Sequence, residues 1–504
     1  MLASNKHLGR LAHPNNPNTS NWYPNYLSLV NYPKSISGSF HSNDKFIIPD
    51  QIDYDDYEEM FFQTCDCCKK YAYAGKTAST MYEASANETW SYGFGNNPWN
   101  AEVGEPIYIR DSLVIPAGKN ITVNGMTFKF GPNARAIVKR GNGSTLGGHL
   151  TLTNNTVFTA DFRCADKNYG TSGCADPNNN CDDRELWQGI RVEGHKSNLS
   201  QSTTYQARLT MLNGAKVEYA HTGVLVGHET KPNYGGGIVN ISNSVFKDNV
   251  VGLEFQSYTI STSGVEKFNK SVVKQNTFQT TSDWFVNLNP DAHVLVWNSS
   301  GLNLKGNLFE NTNTLLTGSD RGLGVKSFDS RIIVEYNCTS AINPCPSEQH
   351  LVRSEFKNLY FGIYGANTQG VIRTIQSNYN VFHNNEVGIY LTNHLSPRIL
   401  DNDFYLHQNS ASTKGVVLIA STGYMVENNT FKGLNPVASK HGVGIVVNNS
   451  GPQPNEIYRN DFSKLYIGGL VEGLNGDNSC CDVGLQWLCN TFSEIRHSDI
   501  ALLE

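Results

Sequence analysis

A short pattern of apolar and polar positions recurs along the chain and predicts its architecture. In its clearest copy, Asn380 precedes Phe382, a turn rich in asparagine follows, and Gly388 begins a segment with apolar residues at alternate positions. The phenylalanines of successive copies are Phe246, Phe278, Phe309, Phe356, Phe382, Phe404, Phe431, Phe462 and Phe492. They lie 22 to 47 residues apart, and self-similarity at such a period predicts a solenoid rather than one globular sheet.

The residue types in the repeat explain the fold that it predicts. Period-two alternation turns the phenylalanine and the apolar residues after the glycine inward, so each coil adds a layer of core. Asparagine tolerates the left-handed backbone of a sharp turn, and stacked asparagine side chains can satisfy one another. Glycine is expected to supply the remaining special backbone angle. Because strands this short leave no room for a crossover helix, the prediction is an all-β, single-stranded parallel β-helix.

The repeat also resembles that of a known group of proteins. Its phrase is similar to that of right-handed parallel β-helix proteins of the pectate-lyase-like superfamily. Residues 112–119, 187–194 and 484–492 resemble segments of large bacterial surface proteins exported by the type IX route. The resemblance implies a right-handed β-helix, but it implies no particular activity because one fold carries many functions.

The repeat divides the chain into two parts. Residues 1–85 do not repeat and are predicted to form an irregular segment, whereas residues 86–504 are predicted to form the β-helix. Acidic residues begin, and lysines end, a stretch at about 54–69 that favours a short helix. This helix is interpreted either as a cap on the first coil or as the remnant of an upstream domain.

Composition and charge limit the classes of partner that the chain is expected to bind. Charged residues make up 17% of the chain, its net charge is −6, and no basic run occurs, which argues against nucleic acid. No apolar run approaches the roughly 20 residues that a membrane span needs, and residues 1–10 lack an apolar signal core. A polysaccharide or a surface protein is the expected partner.

Eleven cysteines fall into local groups that favour disulfides within loops. The groups are Cys65, Cys67 and Cys68; Cys164, Cys174 and Cys181; Cys338 and Cys345; and Cys480, Cys481 and Cys489. Pairing of Cys338 with Cys345 is the specific prediction, and the odd total leaves at least one thiol without a partner in the chain. Disulfides indicate an oxidising compartment, so we expect a secreted or cell-surface protein whose sequence here is incomplete or unusually started.

No metal or other cofactor is expected from the sequence. Residues 176–182 have the alternating Asp and Asn spacing of a calcium loop, but Cys181 stands at the glycine position and Trp187 at the closing glutamate position. Calcium binding there is the weaker alternative to a polar loop tied by a disulfide.

Two columns beside the repeat phenylalanines form the candidate catalytic face. They face outward if the phenylalanines face inward. Their polar members include Glu355, Lys357, His383, Asp403, Tyr405, Lys432 and Asp461. Asp403 and Asp461, with backbones roughly 10 Å apart, would serve a hydrolase as general acid and water-activating base. Lys432, Tyr405 or His383 would take the proton in a lyase. A solvated polar face is the alternative.

A further outward column, following the glycine, is unusually apolar. It comprises Leu225, Glu254, Tyr364, Tyr390, Val417, Val446 and Val471. Tyr364 and Tyr390 are predicted to stack on sugar rings, with Glu355 and Lys357 as further ligand contacts. Burial of this column under a loop or a partner is the alternative.

Two classes of function follow. The preferred prediction is a non-catalytic, adhesin-like rod that binds glycans or proteins. The alternative is a polysaccharide lyase or glycoside hydrolase, although the Asn-Thr-Asp and Arg-x-Pro-x-x-Arg phrases of the β-helix enzymes are not evident.

Overall fold

A computed structural model gives the structure of most of the predicted β-helix. It describes residues 81–161, 186–197, 200–263, 265–284, 288–342, 345–370, 373–407, 413–434, 442–477 and 480–503. The predicted N-terminal segment therefore lies almost wholly, and its helix at 54–69 entirely, outside the described residues. The first described strand begins at Met81, and the domain division after residue 85 stays a prediction.

Three long parallel sheets contain nearly all of the described strands, and successive strands of a coil belong to successive sheets. The glycine sheet has 14 strands: Met81–Glu83, Ser112–Ile115, Arg135–Val138, Ile190–Val192, Thr222–Val226, Val251–Phe255, Ala292–Trp297, Leu323–Phe328, Phe361–Ala366, Val387–Thr392, Lys414–Ile419, Val443–Asn448, Ile467–Glu472 and Ser498–Leu503. The phenylalanine sheet has 13: Ile107–Ile109, Thr127–Phe130, Val157–Ala160, Lys216–Glu218, Val245–Lys247, Thr277–Thr280, Leu308–Asn311, Glu355–Lys357, Val381–His383, Asp403–Leu406, Thr430–Gly433, Asp461–Ser463 and Thr491–Ser493.

The third sheet also has 14 strands, and its outermost strand, Gly476–Asp477, pairs antiparallel. Its strands are Glu88–Trp90, Asn120–Asn124, His149–Thr153, Arg208–Met211, Ile238–Ser242, Val272–Lys274, Leu302–Lys305, Ile332–Glu335, Ile375–Asn378, Arg398–Leu400, Met425–Glu427, Asn455–Tyr458, Gly476–Asp477 and Cys480–Leu488. Two small antiparallel ribbons project from corners: Ser261–Thr262 with Val265–Glu266, and Asn337–Cys338 with Leu351–Val352. The described chain also has 3₁₀ turns at Pro232–Tyr234, Gly318–Arg321 and Glu348–His350.

The nine repeat phenylalanines form one stack along the core. Neighbouring ring centroids lie 4.6–5.1 Å apart, and neighbouring ring planes differ by at most 17°. The first eight rings are at most 2% exposed. The inward direction of the phenylalanines, predicted from period-two alternation, is confirmed, and with it the right-handed parallel β-helix.

An asparagine stands two residues before seven of the nine repeat phenylalanines, and its side chain links adjacent coils. The side-chain oxygen of Asn402 accepts the backbone N–H of Asn380 at 2.9 Å, and its amide donates to Asn429 Oδ1 at 2.9 Å. The same contacts join Asn429 to Asn460 and Asn460 to Asn490. These bonds satisfy backbone groups at a corner where no strand partner reaches them.

The repeat glycine has a different role from the predicted one. Gly388 does not adopt a left-handed conformation. A Cβ at Gly388 would instead lie 2.6 Å from the carbonyl oxygen of Gly415 and 2.7 Å from the ring of Phe404. Glycine is required because the strand passes too close to its neighbours for any side chain. The prediction of a special backbone angle there is wrong.

Candidate functional site

The register of the phenylalanine sheet places the two predicted outward columns side by side. Val381 pairs with Asp403, and His383 with Tyr405. Tyr405 in turn pairs with Lys432 on the next strand. The polar residues singled out in the sequence therefore share one face of one sheet, with adjacent strands about 4.8 Å apart.

The two predicted catalytic carboxylates lie on this face in one column, separated by one strand. Asp403 forms an ion pair with Arg353 at 2.5 Å. Asp461 is exposed and lies two strands away, beyond Thr430. Lys432, in the neighbouring column, is exposed as well. The predicted hydrolase and lyase roles of these residues stay predictions.

Ionisable and aromatic side chains lie close to one another near Lys357. Its ammonium pairs with Glu355. The ring of His383 lies 5.8 Å from that of Tyr405 and 5.5 Å from that of His407. Burial lowers the pKa of both histidines; Lys357 lowers that of His383 further, and His383 lowers that of His407. Both imidazoles are therefore neutral at pH 7 and able to donate and accept hydrogen bonds.

His407 also lines a cleft of about 790 Å³ at the corner where the phenylalanine sheet continues into the glycine sheet. One wall is the loop after the strand Leu308–Asn311, and the other consists of described residues at the corners of three later coils. The cleft is lined by Asn311, Thr312, Asn313, Thr314, Leu316, Thr317, Gly318, Arg321, Asn358, Asn384, Asn385, Glu386, His407 and Thr413. Amides and hydroxyls dominate this surface.

Hydrogen bonds fix both walls of the cleft. In the loop, the Asn313 side chain accepts the N–H of Leu315 at 3.0 Å. Arg321 reaches across to the corner turns, where it donates to the carbonyl oxygen of Asn384 at 3.3 Å and pairs with Glu386 at 3.3 Å. Asn384, with φ of 57°, donates from its amide to Asn358 at 2.7 Å. The cleft is thus preformed.

Tyr364 and Tyr390 lie on the outer face of the glycine sheet as predicted, in register with each other. Their rings stack on one another at 5.6 Å and 11°, and both are half-buried. Val417 and Val446, further along the column, are 4% and 5% exposed, so this part of the column is not an open surface. The predicted stacking of sugars on the two tyrosines stays a prediction.

The last member of that column was misassigned. Leu470, not Val471, pairs with Val446. Gly468, not Gly469, lies opposite Gly444 in the repeat. The sequence has two glycines in succession there, and either one fits the repeat. The prediction used the second glycine, so the predicted column is displaced by one residue at this strand.

The ribbon of residues 337–352 forms a disulfide arm at the corner between the third and phenylalanine sheets. Cys338 and Cys345 are joined by a disulfide, which is the predicted pairing. Thr339 N–H donates to the carbonyl oxygen of His350 at 2.9 Å and extends the ribbon. The residue after the arm, Arg353, donates to the carbonyl oxygens of Tyr379 and Asn380 at 2.8 and 3.0 Å.

We expect Cys338 and Cys345 to resist alkylation until the protein is reduced. Mass spectrometry of unreduced peptides should recover them as one cross-linked species. Cys489, which is exposed and free, serves as the control because it should be alkylated without reduction. Recovery of Cys338 and Cys345 as alkylated peptides from unreduced protein would contradict the bridge.

One of the remaining disulfide predictions is wrong. The others involve cysteines whose side chains lie outside the described part of the chain. Cys489 was predicted to pair with Cys480 or Cys481 but is free. It follows the strand Cys480–Leu488, whose rise of about 3.3 Å per residue separates its ends by roughly 26 Å, too far for a disulfide. Cys164, Cys174 and Cys181, and the side chains of Cys480 and Cys481, lie outside the described residues.

The repeat pattern predicts the polar face but not the cleft beside it. Arg321 and His407 stand outside the repeated motif, and so does the loop wall. One signal was present: the interval of 47 residues between Phe309 and Phe356 is the longest in the repeat. That single coil contains both the loop wall and the disulfide arm, and long insertions on a rigid scaffold are where binding sites form.

Three sheets and a stacked core define the chain as a right-handed parallel β-helix protein. Residues 337–481 match the model of a family described as NosD, periplasmic copper-binding protein. A comparison with curated proteins finds no match. Among solved structures, a variant of the periplasmic alginate epimerase AlgG is similar at 12% identity, covering 79% of this chain and 77% of that one, with a TM-score of 0.40. The Streptococcus pneumoniae surface protein and adhesin PfbA is similar at 12% identity, covering 80% and 92%, with a TM-score of 0.28.

The described residues do not fit a bound copper ion. Imidazoles and soft sulfur ligands suit copper, but the sulfurs of Cys338 and Cys345 are tied in a disulfide. His383 and His407 approach each other, yet no three His, Cys, Asp or Glu side chains in the described ranges converge to hold a metal. The calcium-like residues 176–182 lie outside those ranges. Nor does the described part of the chain contain a helix long and apolar enough to cross a membrane.

Proposed function

We propose that this chain is an exported β-helix protein that binds a glycan in the corner cleft and does not cleave it. The observation that supports this proposal most is the cleft lining, which consists mainly of side-chain amides and hydroxyls. Such groups donate and accept hydrogen bonds in the way that sugar hydroxyls require. A preformed polar cleft also binds at a lower entropic cost than a flexible one.

Two observations support export. The disulfide between Cys338 and Cys345 is of a kind that persists in oxidising compartments such as the periplasm or the cell surface. The family whose model matches residues 337–481 is described as periplasmic. Adhesin-like attachment to a surface polysaccharide is the form of glycan binding that we propose.

The ion pairs of the site favour binding over hydrolysis. Glycoside hydrolysis uses two carboxyl groups on opposite sides of one glycosidic bond. Here the cleft carboxylate Glu386 is paired with Arg321, and Asp403 is paired with Arg353. Carboxylates held by guanidinium groups are poor proton donors, which supports a non-catalytic role.

Replacing Asn384 with glycine is expected to weaken glycan binding roughly two- to tenfold, the equivalent of one lost hydrogen bond of about 0.5–1.5 kcal/mol. Asn384 has a positive φ, so glycine removes the amide without straining the backbone. Affinity would be measured by calorimetry against alginate, polygalacturonate and soluble β-glucan, and the variant compared on each probe that the wild type binds.

The matched control is Asn393→Gly. Asn393 lies on the same coil with the same φ of 57°, but at the corner after the glycine sheet, outside the cleft. Equal affinity of Asn384→Gly and Asn393→Gly would place binding elsewhere. Release of shortened glycans by the wild type would contradict the non-catalytic role and favour a polysaccharide lyase or hydrolase.

A further inference from the structure

A line of aromatic side chains crosses the outer face of the glycine sheet from the corner cleft. It runs through Phe361, Tyr364, Phe328 and Trp297, with centroid steps of 5.6, 5.9 and 5.0 Å. We call these four residues the aromatic track. The N–H of Tyr360, which precedes the track, donates to the carbonyl oxygen of Gly322 at 2.9 Å, directly after Arg321 of the cleft. The track therefore begins next to the chain segment that carries Arg321 of the cleft.

The far end of the track is open to solvent. The Trp297 side chain is 49% exposed, although it stands on a regular strand of the sheet. It pairs in register with Phe328, which is half-buried. Exposing a large aromatic surface costs solvation free energy. A contiguous group of partly exposed aromatic side chains is therefore a candidate binding surface.

Polar groups border the track and indicate what it binds. Lys326 lies 5.9 Å from the ring of Phe328 and pairs with Asp291 at 2.6 Å. Asn298, next to Trp297, donates to Ser257 at 3.0 Å. A pyranose ring has apolar C–H faces and a rim of hydroxyls, so it matches aromatic faces bordered by polar side chains. A purely apolar partner would take these polar groups out of water, which costs free energy.

We propose that the aromatic track binds the extension of a linear polysaccharide whose end or branch occupies the cleft. Successive pyranose units would lie against Phe361, Tyr364, Phe328 and Trp297, obliquely across the glycine sheet. This inference rests on the proposed glycan-binding function and adds its ligand class, a long unbranched chain rather than a short oligosaccharide. It also assigns Trp297 as the residue that selects for length.

Trp297→Ala is expected to weaken binding of decasaccharides by about tenfold, or ~1.4 kcal/mol, while binding of disaccharides stays unchanged. Both would be prepared by size fractionation from alginate, polygalacturonate or soluble β-glucan, whichever the wild type binds, and measured by calorimetry. Phe328→Ala should show the same dependence on length, and Trp297→Phe should restore most of the affinity. Asn384→Gly, in contrast, should weaken binding of both lengths.

The matched control is Phe94→Ala, which removes an aromatic side chain that is 84% exposed and outside the track. Equal affinity of Trp297→Ala and wild type for decasaccharides would overturn the track while leaving the cleft intact. Equal losses for both lengths would also overturn it, because Trp297 would then not select for length. If the wild type binds none of the three polysaccharides, the proposed function fails and the track fails with it.

Discussion

Replacing Phe382 with alanine is expected to lower the free energy of unfolding by about 3–5 kcal/mol, the usual cost of emptying a phenylalanine site in a packed core. The ring is 2% exposed and lies between Phe356 at 4.8 Å and Phe404 at 4.7 Å. Neighbouring coils cannot collapse into the gap because their spacing is fixed by the strand ladders on three sides. The cavity therefore persists.

Urea denaturation followed by circular dichroism measures this loss. Phe94→Ala removes the same side chain from an exposed position and should change stability by no more than about 0.5 kcal/mol, as surface substitutions usually do. Similar stabilities of the two variants would mean that the phenylalanine stack does not hold the coils together.

Replacing Asn402 with alanine should also destabilise the protein, by about 2–5 kcal/mol. The substitution leaves the N–H of Asn380 without its acceptor and the carbonyl oxygen of Ser377 without its donor, both at 2.9 Å in the intact protein. Each buried polar group left without a partner costs about 1–3 kcal/mol. We expect this loss of stability even though alanine is small enough to fit the site, because alanine forms neither hydrogen bond.

Thermal and urea denaturation of Asn402→Ala should be compared with those of Asn120→Ala. Asn120 is exposed at the start of a strand of the third sheet, so its replacement should change the free energy of unfolding little. If both variants unfold at the wild-type midpoint, the asparagine contacts contribute no net stability.

The fold could be predicted from the sequence because each coil buries the same types of residue at the same positions of the repeat. The repeat predicted an inward ring at Phe382 and asparagine side chains that stack from coil to coil, and both are confirmed, the second by Asn402 and Asn429. The reason for Gly388 was not predictable, since the close approach of a neighbouring strand depends on the spacing of coils rather than on local sequence. At Gly468 and Gly469 two equivalent residues in succession left the register undetermined.

The site was less predictable than the fold. Outward register placed His383 and Tyr405 together on one face, as alternation requires. The ion pair that occupies Asp403 could not be foreseen, because Arg353 reaches it from the end of an insertion that lies outside the repeated motif. Trp297 was missed for a related reason: it stands at the last position of a strand, beyond the columns that the repeat defines.

The asparagine links are interrupted at one coil. Asn307 N–H donates to Ser354 Oγ, and Ser354 stands where most of the other coils have asparagine. The side-chain oxygen of Asn380, one coil further, is buried and has no hydrogen-bond partner. The links thus fall into two runs, one ending at Ser354 and one beginning at Asn380, and the disulfide arm lies at the interruption.

We expect this interruption to separate the described coils into two cooperative blocks. In a solenoid each coil interacts only with its neighbours, so a weak interface is where local unfolding stops or starts. The guanidinium of Arg353, bound to the carbonyl oxygen of Asn380 and to Asp403 on the coil beyond, spans that interface. The coils before and after it can therefore open at different free energies, and amide hydrogens on the two sides would exchange as separate groups. Arg353 is the side chain that connects the two groups of coils.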